Sequence, residues 1–515
     1  MKRVLPALAA AGVTIALGIA GCTGGSSQDS PSSRGASSGS STLHWHPCTA
    51  QGASLQCSSL QVPLDYSRPN GRKITLALSE VPATAPVSKR QGVLLVNPGG
   101  PGGPGLGLAA FVAQGLDPAV ASEYTIVGFD TRGVGASVPS MSCDASFFSR
   151  ARPDYIPTSA AEERLNESRA KMYAADCEKK YGWLLPYMTT ENMARDMDSM
   201  RVALGQQQIS YFGYSYGTYL GQVYATLFPH RVRRMVLDST VNPKGAWWTD
   251  NIDQDYAFEA RLKAFFAWMA KYDDVYHLGS TAAEVSAKFY QARAELEAHP
   301  IPGSSGQPLV GPDEFDDTML IGGYDNSYWP GLAAALAAYV NNHSTGALLA
   351  QYNQEGVQSE NEFAVYNAVE CADVNWPRNW ATWNSETRQV YATAPFEAWD
   401  NTWFNAACAF WPVKGPSKPL QIKGAGLPGI LMLQGTLDPA TPYAGAQVAH
   451  SLLPSARMVV VVGSGNHGQS LADPPNDCVN GYLNRYLATG ALPQRPGLVN
   501  ATCPAVPNPT PAGAG

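Results

Sequence analysis

The stretch QISYFGYSYGTYLGQVYATLF, residues 208–228, sets a serine between glycines in the pattern G-x-S-x-G. A run of apolar and aromatic residues ends at Gly213, and a run with the spacing of an amphipathic helix follows Ser215 directly. Strand, serine and helix in this order, with glycine on both sides, predict the sharp turn called a nucleophile elbow. Only small neighbours let the strand and the helix approach each other there. The turn holds the hydroxyl of Ser215 clear of the backbone, near the positive end of the helix.

Similar apolar runs occur before and after this stretch, and each is short and ends in turn residues. Because the runs are continuous instead of alternating, they are typical of strands covered on both faces, as in a parallel sheet. Helical stretches separate them, such as TTENMARDMDSMRVALG (189–205), which has threonine at its start and glycine at its end. The pattern predicts an α/β fold with helices on both faces of a mostly parallel sheet. The strands are expected within 92–100, 124–137, 208–213, 234–240, 429–435 and 457–465.

The segment 245–425 interrupts this alternation. It contains amphipathic stretches, few strand-like runs and most of the tryptophans. We predict a large, mainly helical cap over the carboxyl edge of the sheet, inserted between two parts of one core, residues 43–244 and 426–505. The final residues, 506–515, are rich in proline, alanine and glycine, and we predict that they are disordered.

The N-terminus has the features of an export signal. A basic pair precedes an apolar run that ends in the letters IAGC (19–22). These letters resemble a bacterial lipobox, in which cleavage leaves the cysteine as the lipidated first residue. We therefore predict a signal peptide at 1–21, a lipid on Cys22 and a flexible Gly/Ser-rich tether over 22–42. The protein would then be exported and anchored at the cell surface; with an ordinary signal peptide it would be secreted.

Export also accounts for the cysteines. Apart from Cys22 there are eight, an even number that is typical of disulfides in an exported chain. Each successive pair lies within one local segment, so we predict the pairs Cys48–Cys57, Cys143–Cys177, Cys371–Cys408 and Cys478–Cys503. The sequence has no C-x-x-C and no H-E-x-x-H, so we expect no metal site and no cofactor.

Charge and hydropathy exclude two classes of partner. The net charge is −7 and no run of basic residues occurs, which argues against nucleic acid. Beyond the N-terminal signal, no stretch reaches the roughly 18 apolar residues of a membrane-spanning helix. Contact with a membrane is therefore expected only through the lipid, and the oligomeric state is left open.

The serine needs a base, because a hydroxyl is a poor nucleophile until its proton is removed. In folds with this elbow the chain order is serine, acid, histidine. His467 lies in the glycine-rich loop GSGNHGQS after the last predicted core strand, and Asp438 lies in LQGTLDPATP after the strand before it. Asp238, at the end of the strand in 234–240, is the alternative acid; we interpret it as a strand-end residue that caps the next segment. The predicted triad is Ser215, Asp438 and His467.

A tetrahedral intermediate also needs two N–H donors for its oxyanion. The residue after the nucleophile, Tyr216, supplies one of them. We assign the second to Gly100 in the loop NPGGPGGPG, because glycines let backbone amides turn inward. A phosphate-binding loop would continue with Lys-Ser/Thr, which does not follow here.

Four stretches together resemble a known family: NPGGPGGPG, FDTRGVGAS, GYSYGTYLGQVYATLFPHRVRRMVLDSTVNP and LQGTLDPATP…GSGNHG. They are similar to those of the exported tripeptidyl aminopeptidases, relatives of proline iminopeptidase, over about residues 43–505. The resemblance implies an α/β-hydrolase fold with a helical cap and a serine exopeptidase with the triad named above. It also implies peptide substrates, from whose free N-termini short pieces are released. One departure is Pro98, which stands where the iminopeptidase loop H-G-G-P-G has its histidine.

An aminopeptidase must recognise a protonated α-amine, and a buried ammonium needs carboxylate or carbonyl acceptors. Relatives use acidic cap residues for this, and the resemblance directs attention to FAVYNAVECADVNW (363–376). Glu370 and Asp373 are three residues apart, so on a helix both carboxylates are able to face one amine. The alternative is that both are solvated or pair with Arg378.

Two other functions stay open because a fold does not determine a substrate. One is an esterase or lipase of the same fold. The other is a non-catalytic lipoprotein that binds a solute, which the complete set of triad residues disfavours.

Overall fold

The fold is described from a computed structural model, in which residues 43–149, 152–303 and 310–511 are described. The predicted signal peptide, Cys22 and tether lie outside the described residues. In the described part of the chain, no helix combines the length and the apolar character needed to cross a bilayer.

A ten-stranded sheet forms the centre of the molecule. Its strands are β1 (His46–Ala50), β2 (Ala53–Pro63), β3 (Lys73–Val81), β4 (Gly92–Asn97), β5 (Tyr124–Phe129), β6 (Ile209–Tyr214), β7 (Val232–Asp238), β8 (Ile430–Gly435), β9 (Ala456–Val462) and β10 (Ala501–Pro504). Their spatial order is β1-β2-β3-β5-β4-β6-β7-β8-β9-β10. The pairs β1/β2, β2/β3 and β3/β5 are antiparallel, and all other neighbours are parallel. The predicted α/β fold with a mostly parallel sheet is confirmed.

The central strands are apolar without interruption because both faces of the sheet are covered. In β4, Val93 and Leu95 belong to one buried apolar cluster, and Leu94 and Val96 belong to another. Successive side chains of a strand point to opposite faces, so the two clusters lie on opposite sides of the sheet.

Helices cover both faces. The helices before β7 are α1 (Leu108–Gly115), α2 (Pro118–Glu123), α3 (Ala160–Tyr181), α4 (Thr190–Ala203) and α5 (Tyr216–Leu227). Between β7 and β8 lie α6 (Trp248–Lys271), α7 (Asp273–Tyr276), α8 (Ala282–Ala298), α9 (Pro312–Tyr324), α10 (Trp329–Asn342), α11 (Gly346–Gln351), α12 (Glu360–Asp373), α13 (Trp380–Tyr391), α14 (Ala398–Asn405) and α15 (Ala407–Phe410). After β8 follow α16 (Tyr443–Leu452) and α17 (Asp477–Thr489).

The helices α6–α15 fall within the range predicted for the cap. Several of them enclose an apolar cluster of their own, in which the rings of Phe265 and Trp329 stack with centroids 5.3 Å apart. The insertion therefore has a core separate from the two clusters of the sheet.

A segment assigned to the first part of the core instead packs on the cap. Arg152 binds the carboxylates of Glu314 and Asp317 on α9, each at 2.8 Å. The carbonyl of Tyr155 accepts a hydrogen bond from Trp403 on α14 at 2.8 Å. The excursion between β5 and α4 thus contributes to the cap, which the local sequence pattern did not indicate because these partners are distant in the chain.

The prediction of a disordered C-terminus does not hold for residues 506–511. Pro509 accepts a hydrogen bond from the indole of Trp268 at 2.9 Å, and Asn508 accepts one from Asn326 at 2.8 Å. Pro511 is buried. These contacts lie on the cap and offset the low hydrophobicity of the segment; residues 512–515 lie outside the described residues.

All eight described cysteines form disulfides in the nearest-neighbour arrangement expected from the sequence. The bonds are Cys48–Cys57, Cys143–Cys177, Cys371–Cys408 and Cys478–Cys503. The third bond joins α12 to α15 and so connects two parts of the cap.

Candidate active site

Ser215 occupies the turn between β6 and α5 in a strained conformation. Its φ is +55° and its ψ is −129°, a combination that a residue with a side chain rarely adopts. Gly213 permits the turn, since a Cβ there would lie 2.5 Å from the carbonyl oxygen of Gly217. Gly99 approaches from the β4 loop, where a Cβ would lie 2.9 Å from that of Ser215. These are the features of the predicted elbow.

The structure brings His467 and Asp438 together. The imidazole Nδ1 lies 3.0 Å from Oδ1 and 3.1 Å from Oδ2 of Asp438. Asp438 is buried, and its carboxylate also accepts from the N–H groups of Ala440 and Thr441 and from the Thr441 hydroxyl. The turn after β8 thereby fixes the acid, which in turn orients the imidazole.

Asp238 has a different partner from the one predicted. Its carboxylate does not cap the segment that follows it but accepts from the N–H groups of Gln469 and Ser470 and from the Ser470 hydroxyl. Its backbone carbonyl accepts from the N–H of Ser215 at 3.1 Å. Asp238 thus contacts both the elbow and the loop that carries His467. Burial raises its pKa to about 6, although these hydrogen bonds oppose the shift.

The charge on His467 is controlled by its surroundings. Burial lowers the pKa of the imidazole, but the charge and hydrogen bond of Asp438 and the charge of Asp238 act in the opposite direction. The net result is a pKa above the usual value of histidine. An imidazolium ion formed when His467 accepts a proton is therefore stabilised.

The predicted oxyanion donors lie next to the elbow. Tyr216 is the first residue of α5, and the first N–H groups of a helix have no partner within the helix. In the β4 loop the N–H of Gly99 is occupied, because it donates to Oδ1 of Asn97 at 3.1 Å. The next N–H in this loop belongs to Gly100, whose φ of +107° is open to glycine.

The two acids predicted to bind the amine, Glu370 and Asp373, differ in the hydrogen bonds that their carboxylate oxygens accept. Both oxygens of Asp373 accept from Thr190, one from its N–H at 2.7 Å and one from its hydroxyl at 2.5 Å. Asp373 therefore fixes the start of α4, and the structure does not support it as an amine acceptor. Glu370 is buried, and among the described residues its Oε2 has no hydrogen-bond partner. In the part of the chain that the structure describes, neither acid pairs with Arg378, which instead donates to the carbonyls of Trp411 and Val413.

Other carboxylates lie near Tyr324, the residue whose ring contacts the histidine. The ring of Tyr324, at the end of α9, meets that of His467 edge-to-face with centroids 5.6 Å apart. Burial raises the pKa of Tyr324, and the charges of Glu397, Asp438, Glu362 and Asp400 raise it further. These acids are therefore near the tyrosine.

Three acids of this group, Glu362, Glu397 and Asp400, are not among the residues predicted from the sequence. The backbone of Glu362 packs on the oxyanion loop, where a Cβ on Gly102 would lie 2.7 Å from the Glu362 carbonyl oxygen. Burial raises the pKa of Glu362 to about 6. Glu397 is buried, and its Oε1 has no hydrogen-bond partner within the described ranges. Burial and then the charge of Asp400 raise its pKa well above the usual value. No sequence signal links Glu397 to the site, because the fold alone brings α14 there.

The chain is similar to known proteins over most of its length. Residues 92–473 match the family described as the alpha/beta hydrolase fold. A tripeptidyl aminopeptidase of Streptomyces coelicolor is 40% identical over 484 residues, which cover 91% of this chain and 87% of the relative. The serine protease Hip1 of Mycobacterium tuberculosis is 30% identical over 478 residues, covering 88% and 89% of the two chains. A carboxylesterase B of the same organism is 31% identical over 468 residues, covering 87% and 88%.

Proposed function

Because this chain belongs to the alpha/beta hydrolase family and resembles tripeptidyl aminopeptidases over most of its length, we propose that it is an exported serine exopeptidase that releases tripeptides from the free N-termini of oligopeptides. The observation that carries the proposal is the geometry at the carboxyl edge of the sheet. A strained serine lies at a strand–helix turn, and a histidine held by a buried aspartate lies on the neighbouring loop. Acids of the cap, among them Glu397 with an unpartnered Oε1, lie near Tyr324, whose ring contacts that histidine.

In the proposed reaction Ser215 is the nucleophile. His467 removes the hydroxyl proton at Nε2, while its Nδ1–H stays directed at Asp438. The oxygen of the attacked carbonyl becomes an oxyanion, which the N–H groups of Tyr216 and Gly100 stabilise. When the C–N bond breaks, His467 gives its proton to the leaving amine and the N-terminal piece remains as an ester on Ser215. A water molecule, deprotonated by the same imidazole, then releases the peptide.

Recognition of the free N-terminus is assigned to Glu362 and Glu397. A buried carboxylate oxygen without a donor is costly, and an ammonium group supplies up to three donors and a neutralising charge. Burial raises the pKa of both glutamates, and the charge of Asp400 raises that of Glu397 further, so their charged forms gain from a bound cation. An α-amine bound between them would restore those charged forms. This assignment replaces the predicted pair of Glu370 and Asp373, of which only Glu370 keeps a free oxygen.

In this proposal the distance between the acids of the cap and Ser215 determines the length of the released peptide. An extended tripeptide spans about 10 Å, at roughly 3.3–3.6 Å per residue. The proposed amine acceptors lie near Tyr324, whose ring contacts His467, and the proposal requires that they bind the amine about 10 Å from the elbow, the length of three extended residues. An N-acetylated peptide has no charge to offer at that position and would leave Oε1 of Glu397 buried without a partner.

An esterase is the second candidate, and the similarity to a carboxylesterase favours it. The elbow, the Asp438–His467 pair and the oxyanion donors serve ester and amide hydrolysis equally. The two functions differ in the use of the acidic site, since a neutral ester has no charged group for Glu362 and Glu397.

The test compares three substrates on the purified protein. A tripeptide anilide with a free amine, its N-acetylated counterpart and a short acyl ester are hydrolysed by wild type and by Ser215→Ala. The proposal requires that kcat/KM for the free-amine anilide exceed that for the acetylated one by at least about 100-fold, the effect of about 3 kcal/mol. Hydrolysis of the ester alone would favour the esterase.

Export and anchoring belong to the same proposal. The basic and apolar N-terminus followed by IAGC (19–22) supports cleavage before Cys22 and a lipid on its sulfur. Cys22→Ser should move the protein from the membrane fraction to the medium without changing its turnover. Wild-type protein found free in the medium with an unmodified Cys22 would contradict the anchor.

A further inference from the structure

The loop that carries His467 is held by the cap as well as by the core. The backbone N–H of His467 donates to the carbonyl of Tyr324 at 2.7 Å. Two residues earlier, Gly465 lies against Arg261 of α6, where a Cβ would be only 2.3 Å from the guanidinium. The histidine loop therefore docks on two cap helices, and its position depends on where the cap lies.

Asn466 makes the most extensive of these contacts. Its Oδ1 accepts from the N–H of Asn326 at 3.1 Å, and its Nδ2 donates to the side-chain oxygens of Asn326 and Asp325, each at 3.2 Å. The turn 324–326, which follows α9, therefore binds the residue next to the proposed catalytic base by backbone and side chain together.

The C-terminal segment 505–511 binds the outer side of the same turn. Its first residue continues the pairing of β10, since the N–H of Ala505 donates to Val462 at 3.1 Å. The segment then crosses to the cap, where Asn508 accepts from Nδ2 of Asn326 at 2.8 Å. One residue later the carbonyl of Pro509 accepts from Trp268 of α6. The segment thus connects the last strand of the sheet to the turn that holds Asn466.

We propose that the C-terminal segment 505–511 is a positioning element for His467 and acts through Asn326 and Asn466. The proposal rests on the proposed function of His467 as the base. A displacement of about 1 Å of a reacting group costs up to about 100-fold in rate. The insertion is joined to the sheet through its two ends, which follow β7 and precede β8. The segment adds a third connection, on the side of the histidine, and Asn326 transmits it because its side chain binds the tail while its backbone binds Asn466.

The experiment uses two variants of the full enzyme and one control. A chain that ends at Ala505 lacks residues 506–515 and with them every contact of the segment with the cap, and Asn508→Ala removes the bond to Asn326 alone. Thr510→Ala alters an exposed residue of the same segment and serves as the control. Both a short acyl ester and a free-amine tripeptide anilide are assayed, with circular dichroism to verify folding.

We expect kcat to fall about tenfold in the shortened chain and about threefold in Asn508→Ala, with KM nearly unchanged. The loss should be equal for ester and anilide, because both need the same base, and Thr510→Ala should match wild type. If both variants kept the kcat of wild type, the proposal would be overturned, even if their melting temperatures were lower. A rise in KM for the anilide alone would overturn it too, since the segment would then support the amine site instead of the base.

If the shortened chain does not fold, Asn508→Ala and Asn326→Ala decide the matter by the same criteria. A failure of this proposal can be distinguished from a failure of the proposed function. An enzyme that hydrolyses only the ester would refute the aminopeptidase, yet the ester kcat of the variants would still test the segment.

Discussion

Asp438 holds His467 through both carboxylate oxygens, at 3.0 and 3.1 Å from Nδ1, whereas Asp238 binds the backbone of the same loop two and three residues later. The two buried aspartates thus have different roles toward the loop that carries His467. One sets the orientation of the imidazole, and the other holds the loop beside the elbow.

The different roles of Asp438 and Asp238 predict different effects when each is replaced by the isosteric asparagine. Asp438→Asn should lower kcat by about 10⁴-fold, because the amide favours the wrong imidazole tautomer. Asp238→Asn should lower kcat much less and reduce the melting temperature, because the loop loses charge-assisted hydrogen bonds. Steady-state kinetics and thermal denaturation of both variants provide the measurement. The reverse order of the two kcat values would make Asp238 the catalytic acid.

The pH dependence of kcat/KM reports the state of His467. Only the neutral imidazole accepts a proton from Ser215, so activity is lost as the pH falls through the pKa of His467. Because the carboxylates raise that pKa, the acidic limb should have its midpoint above the usual histidine value of about 6.5. In the residual activity of Asp438→Asn the limb should move to lower pH. If the acidic limb stayed at the same pH in Asp438→Asn, the limb would report the titration of a group other than His467.

The acidic site predicts which substitutions affect recognition of the N-terminus. Glu362→Gln and Glu397→Gln should each raise KM for a free-amine tripeptide anilide by about 10- to 100-fold, the range for a lost hydrogen bond to a charged group. The N-acetylated substrate should be affected little. Asp373→Asn is the matched control, because its carboxylate binds Thr190. Should Glu370→Gln alone give the selective effect, the amine would bind further along α12.

Stability should increase as the pH is lowered from 8 to about 5.5. Burial raises the pKa of Asp255 and of Asp373 to about 7, against about 3.9 in the unfolded chain. Between about pH 3.9 and about pH 7 each group is protonated in the folded state and ionised in the unfolded chain, so its contribution is complete below about pH 3.9 and is lost as the pH rises through about 7. Melting temperatures across this range test the direction, and Asp255→Asn should flatten the profile. A higher melting temperature at pH 8 would contradict it.

The bond between Cys371 and Cys408 should stabilise the cap. It closes a loop with a sequence separation of 37, for which chain entropy gives about 4 kcal/mol. We expect the double substitution of both cysteines by alanine to lower the melting temperature and to increase proteolysis within the cap. The pair Cys48–Cys57, with a separation of 9 and a position in β1 and β2, is the comparison and should leave the cap unaffected.

The sequence was sufficient for the parts of the fold where local pattern and environment agree. All six predicted strands are present because each is mainly apolar and covered on both faces, and every residue of β6 and of β8 is buried. The edge strands β1 and β10 were missed because they are short and partly exposed. In β2, exposed and buried residues alternate after Cys57, which is the pattern of an antiparallel strand with one covered face.

In the site, too, some residues could be predicted from the sequence and others could not. The elbow, the acid and the histidine each follow a strand, so their order along the chain predicts their position. The acids near Tyr324 come from α12 and from the start of α14, and only the packing of the cap brings them together. Asp373 had the right spacing from Glu370, but spacing does not reveal that Thr190 occupies both of its oxygens.

Mass spectrometry of the products from one oligopeptide tests the central claim most directly. A decapeptide with a free N-terminus and its N-acetylated form are incubated with wild type and with Ser215→Ala. We predict that wild type releases the N-terminal tripeptide from the free peptide first, leaves the acetylated peptide intact, and that Ser215→Ala releases nothing. Cleavage inside the acetylated peptide, or release of single residues from the free one, would contradict the proposed tripeptidyl aminopeptidase.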